Sequence, residues 1–146
     1  MQAAAIILAR GGSKGVPGKN LAQVGGRSLL ARSIAAAQGA RGVGVVLVST
    51  DCAAIAAEAR RHGAQVVARP AALAGDGAGS EPAWRHAALS LPTRPARLVF
   101  LQCTSPFTTA AEVEACLAAL AGGAAGSAHA VIADHGFYWA CDAQGH

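Results

Sequence analysis

The sequence is poor in charged and aromatic residues, and each shortage argues against a class of function. Only 14% of the 146 residues are charged and only 4% are aromatic. With so few rings, a platform on which single-stranded bases stack is hard to build. The cations are scattered singly, apart from the pair Arg60-Arg61. Nucleic acid is therefore not an expected partner.

The four cysteines lack the spacing of a metal site or a redox motif. Cys52, Cys103, Cys116 and Cys141 form no CxxC pair, and no histidine stands at a metal-ligand interval from them. This usage is typical of reduced thiols in the cytoplasm. No apolar run approaches the length of a membrane span. The apolar start at residues 3–9 has no basic residue before it and runs straight into Arg10 and the glycine-rich segment, so we do not interpret it as a signal peptide.

Hydrophobic residues and positive charge are what the chain does have. Hydrophobic residues make up 53% of the sequence, the formal net charge is +4 and the pI is about 9.2. A chain of this length can bury a core without disulfides, so we expect a single domain over residues 1–146. The basic balance suits an anionic ligand such as a nucleotide triphosphate.

Short apolar runs alternate with helical patterns along the chain. The runs at residues 3–9, 43–49, 98–102 and 128–133 predict strands buried on both faces of a parallel sheet. Helices are predicted at residues 28–38 and 52–62 and around a stripe formed by Val113, Cys116, Leu117 and Leu120. This alternation predicts a three-layer α/β/α fold with a mainly parallel sheet.

Capping residues mark the ends of these helices. Asp51 is interpreted mainly as the N-cap of the second helix, and Gly63 as the residue that ends it. Thr109 and Glu112 have the spacing of a capping box in front of the last helix. Residues 137–139 predict a further strand and residues 142–145 a turn, so we expect this fold to be truncated at its C-terminal end.

The most informative segment is the loop that follows the first predicted strand, residues 10–19. It contains four glycines together with Arg10, Lys14 and Lys19. Glycines let backbone N–H groups approach a phosphate closely, and the cations add charge to the same place. A bland surface loop is the alternative, but ligands of open α/β sheets bind at the carboxyl ends of the strands. The loop is neither a Walker A motif, being one residue too long, nor a G-x-G-x-x-G motif.

From this loop onward the sequence resembles the acylneuraminate cytidylyltransferases. The resemblance is carried by LARGGSKGVPGKNL at residues 8–21, VSTD at 48–51, RPAALAGD with a following serine at 69–80, and LQCTSP at 101–106. The sister family, the 3-deoxy-manno-octulosonate cytidylyltransferases, is expected to match less well because its loop lacks the GGSKG run. The family usually has proline at position 103 and threonine at position 77, where this chain has cysteine and glycine.

The resemblance implies an activity and a fold. The fold would be Rossmann-like, of the nucleotide-diphospho-sugar transferase type. The anomeric hydroxyl of a nonulosonic acid, such as sialic acid, would attack the α-phosphate of CTP, and pyrophosphate would leave with help from Mg²⁺. Such a reaction depends on positioning and on charge stabilisation rather than on a protein nucleophile. A homodimer is implied for the full-length protein.

The resemblance also assigns roles to residues of this chain. Arg10 and Lys14 would be catalytic, holding the triphosphate and stabilising developing charge. The other nucleotide-binding residues would be Gly11, Gly12, Ser13, Lys19, Asn20, Arg69, Ser80 and Gln102. The family's metal-binding aspartate pair, sugar contacts and dimerisation lobe are expected to be absent here, so Mg²⁺ would be held by the triphosphate. Cys103 is expected to let a thiol reagent block nucleotide binding, because it stands beside Gln102.

Two other functions stay open. One is a nucleotidyltransferase of different base specificity, such as a molybdenum-cofactor guanylyltransferase, although those usually carry glycine at the position of Arg10. The other is a truncated or non-catalytic nucleotide-binding module. Roles for Asp76, His135, Tyr138 and Trp139 also stay open, and no ligand spacing is found among the other histidines.

Overall fold

A computed structural model describes residues 2–13, 15–75 and 77–131 of the chain. In chain order the strands are β1 (Ala3–Leu8), β2 (Gln23–Val24), β3 (Arg27–Ser28), β4 (Val43–Thr50), β5 (Gln65–Ala68) and β6 (Leu98–Gln102). The helices are α1 (Leu29–Gly39), α2 (Ala53–Arg61), α3 (Ser80–Leu89) and α4 (Ala110–Ala119). Short 3-10 turns occupy Lys19–Leu21 and Ala71–Leu73.

Four of the strands form one parallel sheet in the order β5-β4-β1-β6. The inner strands are buried on both faces, as their continuous apolar runs predicted: Ile6 and Ile7 are neighbours in sequence, yet both are 0% exposed. Ile7 aligns with Val48 of β4 and with Leu101 of β6. The predicted strands at residues 3–9, 43–49 and 98–102 are confirmed, and β2 and β3 form a separate small hairpin.

Helices cover both faces of this sheet, which confirms the α/β expectation for the described residues. Ile7 belongs to a core cluster with residues of α1, α2 and α4, including Ile34, Ile55 and Val113. Ile6 is buried outside that cluster, and α3 contacts β1 and β4. Because neighbouring strand residues point to opposite faces, α3 lies against the second face.

The helix ends follow the sequence signals in two of the three predicted cases. The capping box forms, with the Thr109 hydroxyl accepting from the Glu112 N–H and the Glu112 carboxylate accepting from the Thr109 N–H. Gly63 ends α2 at a φ of +75°, and the Ala64 N–H donates to the Ala59 carbonyl. The prediction that Asp51 caps α2 is wrong, since Cys52 is the N-cap residue.

The sequence patterns missed α3 and β5. The buried side chains of α3 are only Ala83 and Ala87, and Pro82 stands in its first turn, so its apolar stripe is too small to give a clear helical period. β5 has four residues, and its first, Gln65, is exposed.

One predicted strand is wrong over the part that the structure describes. Residues 128–131 have no regular secondary structure, and Val131 is 90% exposed. In the described region no neighbouring strand pairs with them, so their apolar pattern has no face to bury. The rest of that strand, and the predicted strand and turn at 137–145, lie outside the described residues. None of the described helices is long and apolar enough to cross a membrane.

Candidate nucleotide-binding site

The cationic glycine-rich loop begins where β1 ends, at the carboxyl edge of the sheet. Its first peptide group is held at both ends: the Arg10 carbonyl accepts from Asn20 Nδ2, and the Gly11 N–H donates to Asp51 Oδ1, both at 2.9 Å. A further turn brings the Ser13 N–H to 3.1 Å from the Gly11 carbonyl. The loop therefore has a defined backbone path at its start.

Gly11 is required here by space. A Cβ at this position would lie 2.9 Å from the Cβ of Cys52, closer than real Cβ atoms come. A Cβ at Gly12 would meet nothing within 4 Å. Gly11 thus allows the glycine-rich loop to approach the start of α2, whereas Gly12 leaves its backbone open to solvent.

Asn20 is buried, with 6% of its surface exposed, and it follows Gly18, which turns the chain at a φ of +65°. Its observed partner is the Arg10 carbonyl, so in this structure the amide supports the loop. The predicted contact between Asn20 and cytidine stays a prediction.

Arg10 connects this loop to the segment after β5. Its Nη1 lies 3.4 Å from the Ala74 carbonyl oxygen and 3.2 Å from that of Gly75. Lys19 opens the 3-10 turn and is half-buried, and its positive charge is close enough to lower the pKa of the Cys103 thiol slightly. Lys14 lies outside the described residues. Arg10 and Lys19 thus place two cations on the carboxyl side of the sheet.

Arg69 is a buried cation just past the end of β5, with 8% of its surface exposed. Its Nε donates to Ser49 Oγ at 3.1 Å, and its Nη2 donates to the Ser49 carbonyl at 2.7 Å. Burial lowers the pKa of Arg69, the carboxylate of Asp51 raises it, and the charge of Arg10 lowers it. Arg10, Asp51 and Arg69 therefore lie in one electrostatic neighbourhood.

Sequence reasoning missed Ser49 and misassigned Asp51. Cys52 is the N-cap residue of α2, but its side chain accepts no capping hydrogen bond. Its backbone N–H donates to Thr50 Oγ1 at 3.1 Å. This leaves the Asp51 carboxylate turned toward the glycine-rich loop. The available signal was the polar run Ser49-Thr50-Asp51 at the end of a buried strand, since strand ends at this edge of an α/β sheet carry binding residues.

Ser80 and Gln102 lie in a second part of the site. Ser80 is the first residue of α3, and Gln102 is the last residue of β6. Both line a groove of about 960 Å³ along β6, together with Trp84 and Phe100. Gln102 is exposed, and its Oε1 accepts from the Thr104 hydroxyl at 3.2 Å. The structure thus groups Arg10, Gly11, Asn20 and Arg69 around the loop, and it places Ser80 and Gln102 in the groove.

Cys103 stands beside Gln102 but faces the opposite way. It is 2% exposed and packs in the core cluster beneath α1 and α4. Burial raises the pKa of its thiol to about 11. The expectation that a thiol reagent would reach it and block the site is therefore wrong for the folded chain, because successive residues at a strand end point to opposite faces.

Other candidates add no chemistry to the site. Asp76, His135, Tyr138 and Trp139 lie outside the described residues. Nε2 of His62 lies 3.3 Å from Oε1 of Glu58 within α2. Over residues 2–13, 15–75 and 77–131, no group of three histidine, cysteine, aspartate or glutamate side chains could hold a metal ion.

Known proteins resemble both the fold and the sequence. A solved structure of a CMP:2-keto-3-deoxy-manno-octonic acid synthetase complexed with CTP superposes with a TM-score of 0.71 at 22% identity. The match covers 82% of this chain and 47% of that one. A parallel sheet with a cationic loop at the end of an inner strand, together with this likeness, defines the fold class, a Rossmann-like α/β fold.

Within that class, the chain belongs to the cytidylyltransferase family, which it matches over residues 4–136. The 3-deoxy-manno-octulosonate cytidylyltransferase of Anaeromyxobacter dehalogenans is 39% identical over 121 residues, 83% of this chain and 48% of that protein. The N-acylneuraminate cytidylyltransferase of Escherichia coli O18:K1:H7 is 42% identical over 103 residues, 70% and 24% of the two chains. A CMP-N,N'-diacetyllegionaminic acid synthase of Campylobacter jejuni is 40% identical over 84 residues, 57% and 36%.

These relatives correct one expectation. The octulosonate enzymes do not match less well than the acylneuraminate enzymes: their alignment is longer at a similar identity. The GGSKG run of the loop is a short segment, and similarity over the 121 aligned residues outweighs it. The chain spans about half the length of its octulosonate relatives.

Proposed function

We propose that this chain is the nucleotide-binding part of a cytidylyltransferase that transfers CMP from CTP to an acidic sugar. The observation that carries this is the loop at residues 10–13, whose first peptide group is hydrogen-bonded at both ends at the carboxyl edge of the sheet. Its cations would hold the triphosphate. Membership of the cytidylyltransferase family supports cytidine as the base.

In the proposed reaction, the anomeric hydroxyl oxygen of the sugar attacks the α-phosphorus of CTP and pyrophosphate leaves. Arg10 and Lys14 would stabilise the charge that develops on the phosphate oxygens, with Gly11, Gly12 and Ser13 forming the backbone turn beside the phosphates and Lys19 a further cation. Asn20, Arg69, Ser80 and Gln102 would surround the nucleoside. Mg²⁺ would arrive with CTP, since no described cluster of side chains fits a metal by itself.

We propose a nonulosonic acid of the sialic acid type as the sugar, on the strength of the GGSKG loop and the acylneuraminate and legionaminate relatives. 3-Deoxy-manno-octulosonate is the second candidate, favoured by relatives that align over 121 and 120 residues. The longer protein would be a cytoplasmic homodimer.

Base preference is the first test. Calorimetric titration of the 146-residue chain with CTP, UTP and GTP should show preference for CTP. Gln102→Ala should lose that preference, because an amide that reads the base edge leaves the wrong base unpaired. Gln65→Ala is the matched control, an exposed glutamine on β5, the opposite edge strand of the sheet. Preference for GTP would favour the guanylyltransferase alternative and refute the proposed base.

The sugar is tested by pyrophosphate release from CTP with N-acetylneuraminate or 3-deoxy-manno-octulosonate as acceptor. Faster release with N-acetylneuraminate supports the proposed acceptor, and faster release with octulosonate replaces it. CTP binding without release from either sugar would support the non-catalytic module instead.

A further inference from the structure

Asp51 supplies a contact that its interpretation as a helix cap does not explain. It stands one residue past the end of β4, and its Oδ1 accepts from the Gly11 N–H at 2.9 Å. Gly11 is forty residues away in sequence. A surface carboxylate pointed at a phosphate-binding loop needs a reason, because it would repel an incoming triphosphate.

The geometry supplies that reason. The Arg10 carbonyl and the Gly11 N–H belong to the same planar peptide unit. Asn20 Nδ2 holds the carbonyl end and Asp51 Oδ1 holds the N–H end, each at 2.9 Å. Hydrogen bonds at both ends resist rotation of this plane, so the backbone path at the start of the loop is set before any ligand arrives. A preorganised loop of this kind needs no rearrangement when charge must be bound.

The charge of Asp51 is also compensated. Arg69 is buried close enough to be influenced by Asp51 and by Arg10. The carboxylate therefore has the buried Arg69 cation within electrostatic reach, which reduces the repulsion it would exert on a triphosphate.

We propose that Asp51 is a positioning residue that locks the Arg10–Gly11 peptide, so that the loop keeps the backbone path that directs its cations to the phosphates. This role rests on the proposed binding of a nucleotide. Asp51 acts through the loop backbone and does not itself touch the ligand.

The test compares Asp51→Ala with Asp51→Asn, since asparagine keeps an acceptor oxygen at the same place and removes the charge. Calorimetry measures binding of CTP and of inorganic tripolyphosphate, each with and without Mg²⁺. Asp51→Ala should weaken both by about tenfold, the worth of one hydrogen bond to a charged group. Asp51→Asn should stay within about threefold of the wild type. Glu114→Gln, which alters an exposed ion pair with Arg41, is the control and should change nothing.

A second readout needs no nucleotide. Exchange of the Gly11 amide proton, followed by NMR, should be slow in the wild type and in Asp51→Asn and faster in Asp51→Ala. The melting temperature of Asp51→Ala should fall by only a few degrees, because Asp51 is exposed and its loss leaves no cavity, so both variants stay folded. Asp51 has no locking role if Gly11 exchanges equally fast in wild type and Asp51→Ala.

Other outcomes also overturn this role. Tighter binding by both variants would make Asp51 only a nearby negative charge, and weakening of both only with Mg²⁺ would make it a metal ligand. A wild type that binds tripolyphosphate without preferring CTP would refute the cytidylyltransferase proposal. The role of Asp51 could still be tested, because tripolyphosphate binding could be compared between the wild type and the two Asp51 variants. A wild type that binds no polyphosphate would refute both.

Discussion

At the ends of β1 and β4, polar side chains are held by the chain itself, whereas at the end of β6 Gln102 faces solvent. Asn20 and Arg69 are buried and donate to the Arg10 carbonyl and to Ser49. Gln102 lines an open groove, and its side chain accepts a hydrogen bond from its neighbour Thr104. The acceptors of Asn20 and Arg69 lie at the ends of the inner strands β1 and β4, although Arg69 itself follows β5, which like β6 lies at an edge of the described sheet.

This difference separates two kinds of binding residue. Asn20 and Arg69 are buried and donate to acceptors at the ends of inner strands, so they are ordered before a ligand arrives and also contribute to stability. Gln102 is exposed in an open groove, so its contribution appears only when something occupies the groove. Substitutions in the two regions should therefore separate stability from binding.

The largest effect should come from Arg69→Ala. It removes two buried hydrogen bonds from a charged donor, and we expect a loss of about 3 kcal/mol in the free energy of unfolding. Urea denaturation measures this. Arg60→Ala, an exposed arginine on α2, is the control and should change stability by less than about 0.5 kcal/mol. Equal losses in the free energy of unfolding for Arg69→Ala and Arg60→Ala would contradict the claim that the buried hydrogen bonds of Arg69 contribute to stability.

Gly11→Ala should come next. Its new Cβ would lie 2.9 Å from the Cβ of Cys52, so the loop or α2 must shift at a cost of about 2 kcal/mol. Gly12→Ala is the matched control, with no atom within 4 Å of the new Cβ. Thermal denaturation of the pair compares them, and a stable Gly11→Ala variant would mean that the loop does not pack against Cys52.

The third effect depends on pH and tests the burial of Cys103, which follows β6 and faces the core. Burial raises the pKa of Cys103 to about 11 from an ordinary 9.0. The unfolded chain therefore loses this proton first, so stability is full below pH 9 and falls as pH rises toward 11. The loss should be about 1 kcal/mol at pH 10. Urea denaturation at pH 8 and 10 measures it, and Cys103→Ala should remove this component of the pH dependence.

Reagent access to the same thiol gives an independent check. Cys103 should react with a thiol reagent far more slowly than the half-buried Cys52 and Cys116, until urea unfolds the chain. Rapid labelling of Cys103 in the folded chain would show that the β6 end is open on both faces.

The smallest effect on stability is expected for Gln102→Ala. The side chain is exposed and its one hydrogen bond is to Thr104, so the change should be under about 0.5 kcal/mol. Urea denaturation should show that the free energy of unfolding is nearly unchanged in the same variant that loses base preference. A clear loss of stability would group Gln102 with Asn20 and Arg69, whose side chains are buried and hydrogen-bonded within the chain.

Several features of the chain could be predicted from its sequence because they depend on local chemistry. Continuous apolar runs predicted β1, β4 and β6, and the capping box formed as the spacing of Thr109 and Glu112 indicated. α3 escaped because alanines give little periodic signal. The cationic loop was also evident, since four glycines and three cations after a buried strand are adjacent in sequence.

The sequence by itself determined the strand and helix pattern, the cationic loop and the family resemblance. Only the tertiary structure decided that Asp51 binds Gly11 rather than capping α2, that Ser49 receives Arg69, and that Cys103 faces the core. Each of these depends on which residue of a distant segment comes within hydrogen-bonding or packing distance. Local pattern cannot supply that information, because a carboxylate, a hydroxyl and a thiol each have several partners of nearly equal energy until the sheet brings one of them close.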